Sequence, residues 1–210
     1  MKKNVKLLFS AILLILFAFW TVAVKFIDVA NIGPNESAVG FSTINGFFHS
    51  LTGTNFALYT ITDWLGLVPF GVCLCFGALG FAQMVARKSL RKVDADILIL
   101  GGFYIVVIAA YLFFEKVVIN YRPVLIGGIL EASYPSSTTM LTMCVMPTAI
   151  LQLSRRIKNK AFKYTTNTVI VLFTAFMVVG RVLSGVHWLT DIVGGALLSA
   201  GLVLLYDAVF

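Results

Sequence analysis

Long apolar segments, separated by short polar and charged ones, dominate the pattern of the chain. A helix needs about 20 mostly apolar residues to cross the hydrocarbon core of a membrane. Six segments are predicted as such helices: Leu7–Phe26, Trp64–Ala86, Ile97–Phe114, Ser136–Leu153, Thr165–Val182 and Trp188–Tyr206. The pattern therefore predicts an all-α integral membrane protein with six transmembrane helices, formed by a single domain over residues 1–210.

The N-terminal segment has the basic start and apolar core of a signal peptide. Its apolar run continues to about Phe26, however, and no small-residue cleavage site follows, so a retained spanning helix fits better. The connection from Ile27 to Asp63 is rich in Gly, Asn, Ser and Thr. We expect an outer loop over residues 27–63, with an interfacial turn near GFFHSL.

The basic residues predict the orientation of the chain in the membrane. Twelve of the 16 Lys and Arg residues fall on one side of the predicted spans: Lys2, Lys3, Lys6, Arg87, Lys88, Arg91, Lys92, Arg155, Arg156, Lys158, Lys160 and Lys163. Cytoplasmic loops of membrane proteins carry such an excess. We therefore expect a multi-pass protein of the cell membrane with both chain ends in the cytoplasm.

Composition agrees with a membrane protein, because 60% of the residues are hydrophobic and only 12% are charged. Soluble domains average about 45–50% apolar and about 25% charged residues. The net charge of +7 reflects the cytoplasmic side, so no nucleic-acid partner is predicted. Cys73, Cys75 and Cys144 lie inside apolar runs, which indicates packing rather than a disulfide framework or a metal site.

Four basic residues fall on the predicted outer side: Lys25, Lys116, Arg122 and Arg181. Long basic side chains near helix ends can extend to the membrane interface, and this explains Lys25. It explains the gathering of two arginines and a lysine at the mouths of three spans less well. We therefore predict a cationic site that faces the extracytoplasmic side.

Three stretches converge on this face: EKVVINYRP (115–123), SYPSSTTM (133–140) and GRVLSGVHWLTD (180–191). Arginine and lysine match the oxygens of a phosphoryl group. Ser136 and Ser137 follow Pro135 at a predicted helix start, where free N–H groups and the helix dipole favour an anion. The combination predicts a phosphate site.

His187 and Asp191 are four residues apart. If the last helix begins near Val186, the two share a face and the carboxylate can orient the imidazole, as for an activated nucleophile. The alternative is an interfacial histidine beside Trp188 in an aromatic belt. The neighbouring Arg181 favours the functional interpretation.

The spacing R-x5-H-x3-D, from Arg181 through His187 to Asp191, resembles the third signature of the type 2 phosphatidic acid phosphatase (PAP2) superfamily. Arg122–Pro123 resembles the end of the first signature, and YPSS resembles the second, PSGH. The resemblance implies a PAP2-like helix bundle and a phosphatase that needs neither metal nor cofactor. It implies that His187 attacks phosphorus to form a phosphohistidine and that Asp191 holds it. By the same resemblance, the phosphate contacts are Arg122, Arg181, Lys116, Ser136, Ser137 and Thr138.

The chain departs from the family's pattern at three positions. Glu115 stands where the family has lysine, and Lys116 is six residues before Arg122, which places the two roughly 120° apart on a helix. Gly180 stands where a serine usually precedes Arg181. Thr138 stands where PSGH has its histidine, the family's general acid.

A threonine cannot supply an acidic proton near neutral pH, and three hypotheses follow. The chain is a lipid-phosphate-binding pseudoenzyme, another group such as His49 replaces the acid, or the leaving group needs no acid. General-acid assistance is typically worth about 10²–10⁴-fold, and a phosphate leaving from a diphosphate needs it least. We therefore predict hydrolysis of a membrane lipid diphosphate, such as undecaprenyl diphosphate. The alternative enzyme is a phosphatidate or phosphatidylglycerophosphate phosphatase. A transporter fits less well, because the polar residues gather at one face rather than the midplane.

Overall fold

The computed structural model describes residues 2–210 and contains no β-strand in that range, only isolated bridges. The predicted all-α architecture is confirmed. The helices are α1 Lys3–Phe26, α2 Ser42–Thr52, α3 Phe56–Leu65, α4 Leu67–Arg87, α5 Ala95–Lys116, α6 Ser137–Arg156, α7 Lys160–Leu183 and α8 Leu189–Val209.

Five helical segments are long and apolar enough to cross a membrane: α1, the continuous pair α3–α4, α5, α7 and α8. The protein is therefore a multi-pass membrane protein. The fourth predicted span corresponds to α6, which is less apolar because one face carries Thr142, Thr148 and Gln152. These side chains are buried, since α6 packs against α4, α5, α7 and α8. The count of six spans remains a prediction.

The hydrophobic core lies where α4, α5, α6 and α8 meet. Its fully buried side chains include Leu100 of α5, Met140 and Val145 of α6, and Tyr206 of α8. Cys144 belongs to this core as expected, whereas Cys75 is exposed on α4. A hydrogen bond from the Ser136 N–H to the Asp191 carbonyl (3.1 Å) joins the beginning of α6 to the beginning of α8, where the predicted chemistry lies.

Helix α1 packs along α8 and brings the two chain ends together. Ser10 donates a hydrogen bond to the Gly201 carbonyl (2.8 Å), and Lys6 pairs with Asp207 (2.8 Å). Arg156 at the end of α6 pairs with Asp96 at the start of α5 (2.8 Å) at the same end of the bundle. The predicted phosphate-binding stretches consequently lie at the opposite end.

The connection over residues 27–63 contains two helices, α2 and α3, where the sequence predicted an outer loop with a turn. Asp28 stabilises the start of α2 by accepting hydrogen bonds from Thr43 N–H (2.8 Å) and Ser42 Oγ (3.0 Å). These hydrogen bonds lower the pKa of the Asp28 carboxyl, and the bond from the Thr43 backbone contributes most. Helix α3 runs into α4 at Gly66, so helix formation begins well before the predicted Trp64.

Between α5 and α6 the chain makes a short hairpin-like excursion. The Arg122 N–H donates to the Glu131 carbonyl (3.0 Å), and the Ser133 N–H donates to the Asn120 carbonyl (2.9 Å). The indole N–H of Trp188 donates to the Tyr121 carbonyl (2.7 Å) and fixes the excursion to the start of α8. Arg122 is thereby brought beside the residues that precede α8.

Candidate active site

His187 lies in the turn between α7 and α8. Gly185 has φ +63°, and a Cβ there would lie 1.7 Å from the Gly53 carbonyl oxygen. The Asn55 N–H donates to the Ser184 carbonyl (2.9 Å), so the connection between α2 and α3 packs directly on this turn. The close approach requires glycine and holds His187 in a rigid setting.

Asp191 lies beside His187, but the two do not share a helical face as expected. Helix α8 begins at Leu189, not near Val186, so His187 precedes the helix. Asp191, in the first turn, accepts a hydrogen bond from the Trp188 N–H (3.0 Å), and its Oδ2 lies 3.6 Å from His187 Nδ1. Because catalytic hydrogen bonds are often long without substrate, this geometry suits an orienting carboxylate.

The other ring nitrogen of His187 faces Arg122, with 3.1 Å between Nε2 and Nη1. A guanidinium can only donate, so Nε2 accepts and carries the free electron pair. The ring proton then lies on Nδ1, towards Asp191. Burial, followed by the charges of Arg122 and Arg181, lowers the pKa of His187 well below 6.5. The imidazole is therefore neutral, with the free electron pair of Nε2 directed at a cation.

Each of the two arginines also meets a carboxylate. Arg122 Nε is 2.9 Å from Glu131 Oε2, although the pair is out of line for a hydrogen bond. Arg181 is only 2% exposed, and its Nη2 donates to Asp63 Oδ1 (3.0 Å) and Thr138 Oγ (2.5 Å). Both guanidinium groups are thus held in place at the site, each with an acidic partner nearer solvent.

The start of α6 completes the cluster. Ser136 is the N-cap residue and accepts from the Thr139 N–H (3.4 Å), while its own N–H donates to the Asp191 carbonyl (3.1 Å). Gly195 allows this approach, because a Cβ there would be 3.2 Å from the Ser136 oxygen. The first-turn N–H groups of Ser137 and Thr138 have no carbonyl partner within the helix and are available to an anion.

A polar cavity of about 510 Å³ opens beside these groups, lined among others by His187, Arg122, Ser137, Glu131 and Glu115. Lys116 is exposed and does not line it. The reason is the register of α5, which ends at Lys116 and turns the preceding residue towards the cavity. Of the predicted site residues, His187, Arg122 and Ser137 line this cavity, whereas Lys116 lies outside it. Ser136 and Asp191 are hydrogen-bonded to each other beside it, and Arg181 and Thr138 form a separate contact next to Ser137.

The sequence matches the PAP2 superfamily over residues 103–209, which contain all of these groups apart from Asp63. The chain belongs to the PAP2 superfamily. A comparison with curated proteins gives no match.

Among solved structures, the chain is similar to the crystal structure of the first transmembrane PAP2-type phosphatidylglycerolphosphate phosphatase from Bacillus subtilis. The two share 19% sequence identity with a TM-score of 0.54, and the alignment covers 94% of each chain. At this identity the likeness establishes the shared membrane fold. It extends beyond the sequence match to α1–α4.

Of the departures from the PAP2 pattern, those at Gly180 and Thr138 both lie near the Thr62–Asp63 stretch of α3. A Cβ on Gly180 would lie 2.7 Å from the Thr62 Cγ2 atom of α3. Thr138 shares the Nη2 group of Arg181 with Asp63 of α3. The sequence predicted Asp63 only as the end of the outer loop. The one feature that could have indicated a role was its position immediately before an apolar run.

His49, the other histidine, lies on α2. Its ring packs against Trp188 with 5.6 Å between centroids, and it lines a cavity of about 10 Å³ together with His187. It does not line the polar cavity that holds Arg122 and Ser137. Its role as a replacement acid therefore remains a hypothesis from the sequence.

Proposed function

We propose that the protein is a membrane lipid phosphatase that works through a phosphohistidine at His187 on the extracytoplasmic side. The observation that carries the proposal is the state of this ring. It is buried and neutral, with Nε2 facing Arg122 and Nδ1 facing Asp191. A purely phosphate-binding site needs the arginines but has no use for such a nucleophile.

In the proposed first step, His187 Nε2 attacks phosphorus and the bond to the leaving oxygen breaks. Most catalysis of phosphoryl transfer lies in positioning and in stabilising charge on the equatorial oxygens. Arg122, Arg181 and the free N–H groups of Ser137 and Thr138 serve that purpose. Asp191 stabilises the imidazolium that forms as Nε2 bonds to phosphorus. Substrate oxygens compete with Glu131 for Arg122.

The lipid nature of the substrate is supported by a second cavity of about 570 Å³. It shares Tyr111, Ser137 and Met140 with the polar cavity, and its other walls are mainly apolar residues of α4 and α5, such as Phe70 and Ile108. A phosphate bound at Ser137 would thus lie between the polar cavity and the apolar one. This arrangement suits a lipid phosphate whose chain lies among the helices.

Thr138 favours a diphosphate lipid such as undecaprenyl diphosphate, because its leaving phosphate needs little protonation. A second candidate is a phosphatidylglycerophosphate or phosphatidate phosphatase. It is favoured by Glu115 and Glu131 in the cavity wall, since carboxylates accept hydrogen bonds from headgroup hydroxyls and repel a second phosphate. The fold likeness to a phosphatidylglycerolphosphate phosphatase is consistent with it.

For the orientation, we propose that the end carrying Lys6, Arg87 and Arg156 faces the cytoplasm, because basic residues concentrate there. The polar cavity then opens to the extracytoplasmic side. Impermeant thiol reagents applied to intact cells would test this with a cysteine placed at Gly127, which is exposed in the hairpin-like excursion. Labelling that occurs only after the cells are opened would show that the protein has the opposite orientation.

The decisive experiment is phosphate release by the purified protein in detergent with EDTA present, comparing wild type with His187→Ala. Lipid diphosphate, phosphatidate and phosphatidylglycerophosphate serve as parallel substrates. We expect release that requires His187 and is faster with the diphosphate. Faster release from a monoester would favour the second candidate, and binding without His187-dependent release would identify a binding protein.

A further inference from the structure

Helix α3 comes unusually close to Arg181, at the place where the chain departs from the PAP2 pattern. The Thr62 side chain fills the space that a serine at position 180 would need, with 2.7 Å between its Cγ2 and a Cβ on Gly180. Thr62 is fully buried, and its Oγ lies 3.4 Å from Arg181 Nη1. The glycine at 180 therefore permits α3 to pack against α7.

This packing delivers one carboxylate to the site. Asp63 is the next residue of α3, and its Oδ1 is 3.0 Å from Arg181 Nη2. The same nitrogen lies 2.5 Å from the Oγ of Thr138, the residue at the histidine position of the second motif. Asp63 and Thr138 therefore both accept from the Nη2 amino group of Arg181, which places the carboxylate next to the second motif.

Asp63 is also exposed at the surface of the protein. Its side chain is 57% exposed, whereas that of Arg181 is only 2% exposed. It lines the apolar cavity together with Ser137 and Thr138, next to the free N–H groups of α6. A phosphoryl group held by Arg181 and these N–H groups would therefore have an accessible carboxylate beside it.

We propose that Asp63 acts as a general base beside the second motif, by accepting the proton of the water that hydrolyses the phosphohistidine. It does not take over the general-acid role that the resemblance gives to the missing histidine, which a diphosphate substrate does not need. This inference rests on the proposed function. Carboxylates perform such general acid–base work in many enzymes. Glycine at 180 then admits α3, and threonine at 138 contacts the same guanidinium as the carboxylate that α3 brings.

The step balances without a further reactant. The water oxygen forms a bond to phosphorus while the bond between phosphorus and His187 Nε2 breaks, and its electron pair returns to the ring. One water proton passes to the Asp63 carboxylate and then to the departing phosphate or to solvent. In the preceding step, the bond to the bridging oxygen of the diphosphate breaks, and the lipid monophosphate departs as an anion that needs no proton.

The test separates formation of the phosphoenzyme from its hydrolysis. With a lipid diphosphate labelled at the terminal phosphate, rapid alkaline quenching traps phosphohistidine. For Asp63→Asn we expect the label to appear on His187 about as fast as in wild type and then to accumulate. We expect kcat to fall about 10²-fold, at the low end of general acid–base effects. Glu36→Gln, at an exposed carboxylate that forms no ion pair within residues 2–210, should behave as wild type.

A rescue variant sharpens the test. Adding Thr138→His to Asp63→Asn should restore turnover at least partly and remove the accumulated label, since it returns a proton-transfer group to the second motif. If Asp63 only neutralises Arg181, Asp63→Asn will change KM or slow phosphoenzyme formation, with no accumulation, and the proposal is overturned. Unchanged turnover in Asp63→Asn overturns it equally. Absence of His187 labelling in the wild type would refute the proposed function itself, and this inference with it.

Discussion

Arg122 donates a hydrogen bond to the Nε2 atom of His187, with 3.1 Å between the two nitrogens. The contact determines the tautomer of the ring, because an arginine cannot accept a hydrogen bond. It also places a permanent cation where a phosphoryl group would bind. If the proposed function holds, Arg122 both fixes the tautomer of the nucleophile and binds the phosphoryl group.

This contact predicts an unusual pH dependence of activity. Burial, Arg122 and Arg181 together keep the pKa of His187 well below 6.5, so the ring stays unprotonated in weak acid. As far as His187 is concerned, kcat/KM should therefore not decline until the pH is well below 6.5. In Arg122→Gln the lost charge should move the decline to higher pH, besides reducing the rate. The profile of kcat/KM against pH for both proteins measures this, and equal profiles would contradict it.

The same shift makes a prediction for stability. The unfolded chain takes up a proton on His187 as the pH falls through about 6.5, whereas the folded protein resists protonation. Stability therefore decreases with falling pH from about 6.5 down to the lower pKa of the folded state. The thermal midpoint in detergent should fall more between pH 7.5 and 5.5 for wild type than for His187→Gln. A fall of the same size in both would exclude His187 as the cause.

Restoring the family's serine at position 180 should damage the protein. In Gly180→Ser, the new Cβ would meet Thr62 Cγ2 at 2.7 Å, and overpacking typically costs about 1–3 kcal/mol. Unfolding in detergent should show this loss, and Thr62→Ala in the same chain should recover part of it. Gly102→Ser is the matched control, because a Cβ at Gly102 meets nothing within 4 Å. Equal effects at 180 and 102 would argue against close packing of α3.

Glu115 in the wall of the polar cavity should influence substrate choice. Glu115→Lys returns a cation to the position where the family has lysine, and it should raise kcat/KM for a lipid diphosphate relative to a monoester. Lys116→Ala should leave both values close to wild type, because Lys116 is exposed outside the cavity. Competition between the two lipids in one assay gives the ratio directly. A strong loss in Lys116→Ala would mean that its side chain reaches the phosphate.

His49→Gln should retain most of the wild-type kcat. His49 lies against Trp188 and away from the polar cavity, so its loss removes packing rather than a proton donor. The assay is phosphate release with both a diphosphate and a monoester. A large loss of kcat with the monoester alone would instead support His49 as the general acid.

The sequence determined the helical membrane architecture and the positions of His187, Asp191, Arg122 and Arg181. Apolar length and charge are local properties, and spacing of a few residues along one turn leaves little freedom. The sequence also showed that Thr138 replaces the histidine of the second motif. The last helix begins at Leu189, next to the predicted Trp188, so His187 precedes it and does not share a helical face with Asp191.

Only the tertiary structure decided how the connection over residues 27–63 folds and that α3 brings Asp63 to Arg181. It also decided that Glu115, and not Lys116, lines the cavity. These outcomes depend on close approaches between distant segments, at Gly180 against Thr62 and at Gly185 against Gly53. A sequence pattern records that a glycine is present, but the partner that needs the space is known only once the helices have packed.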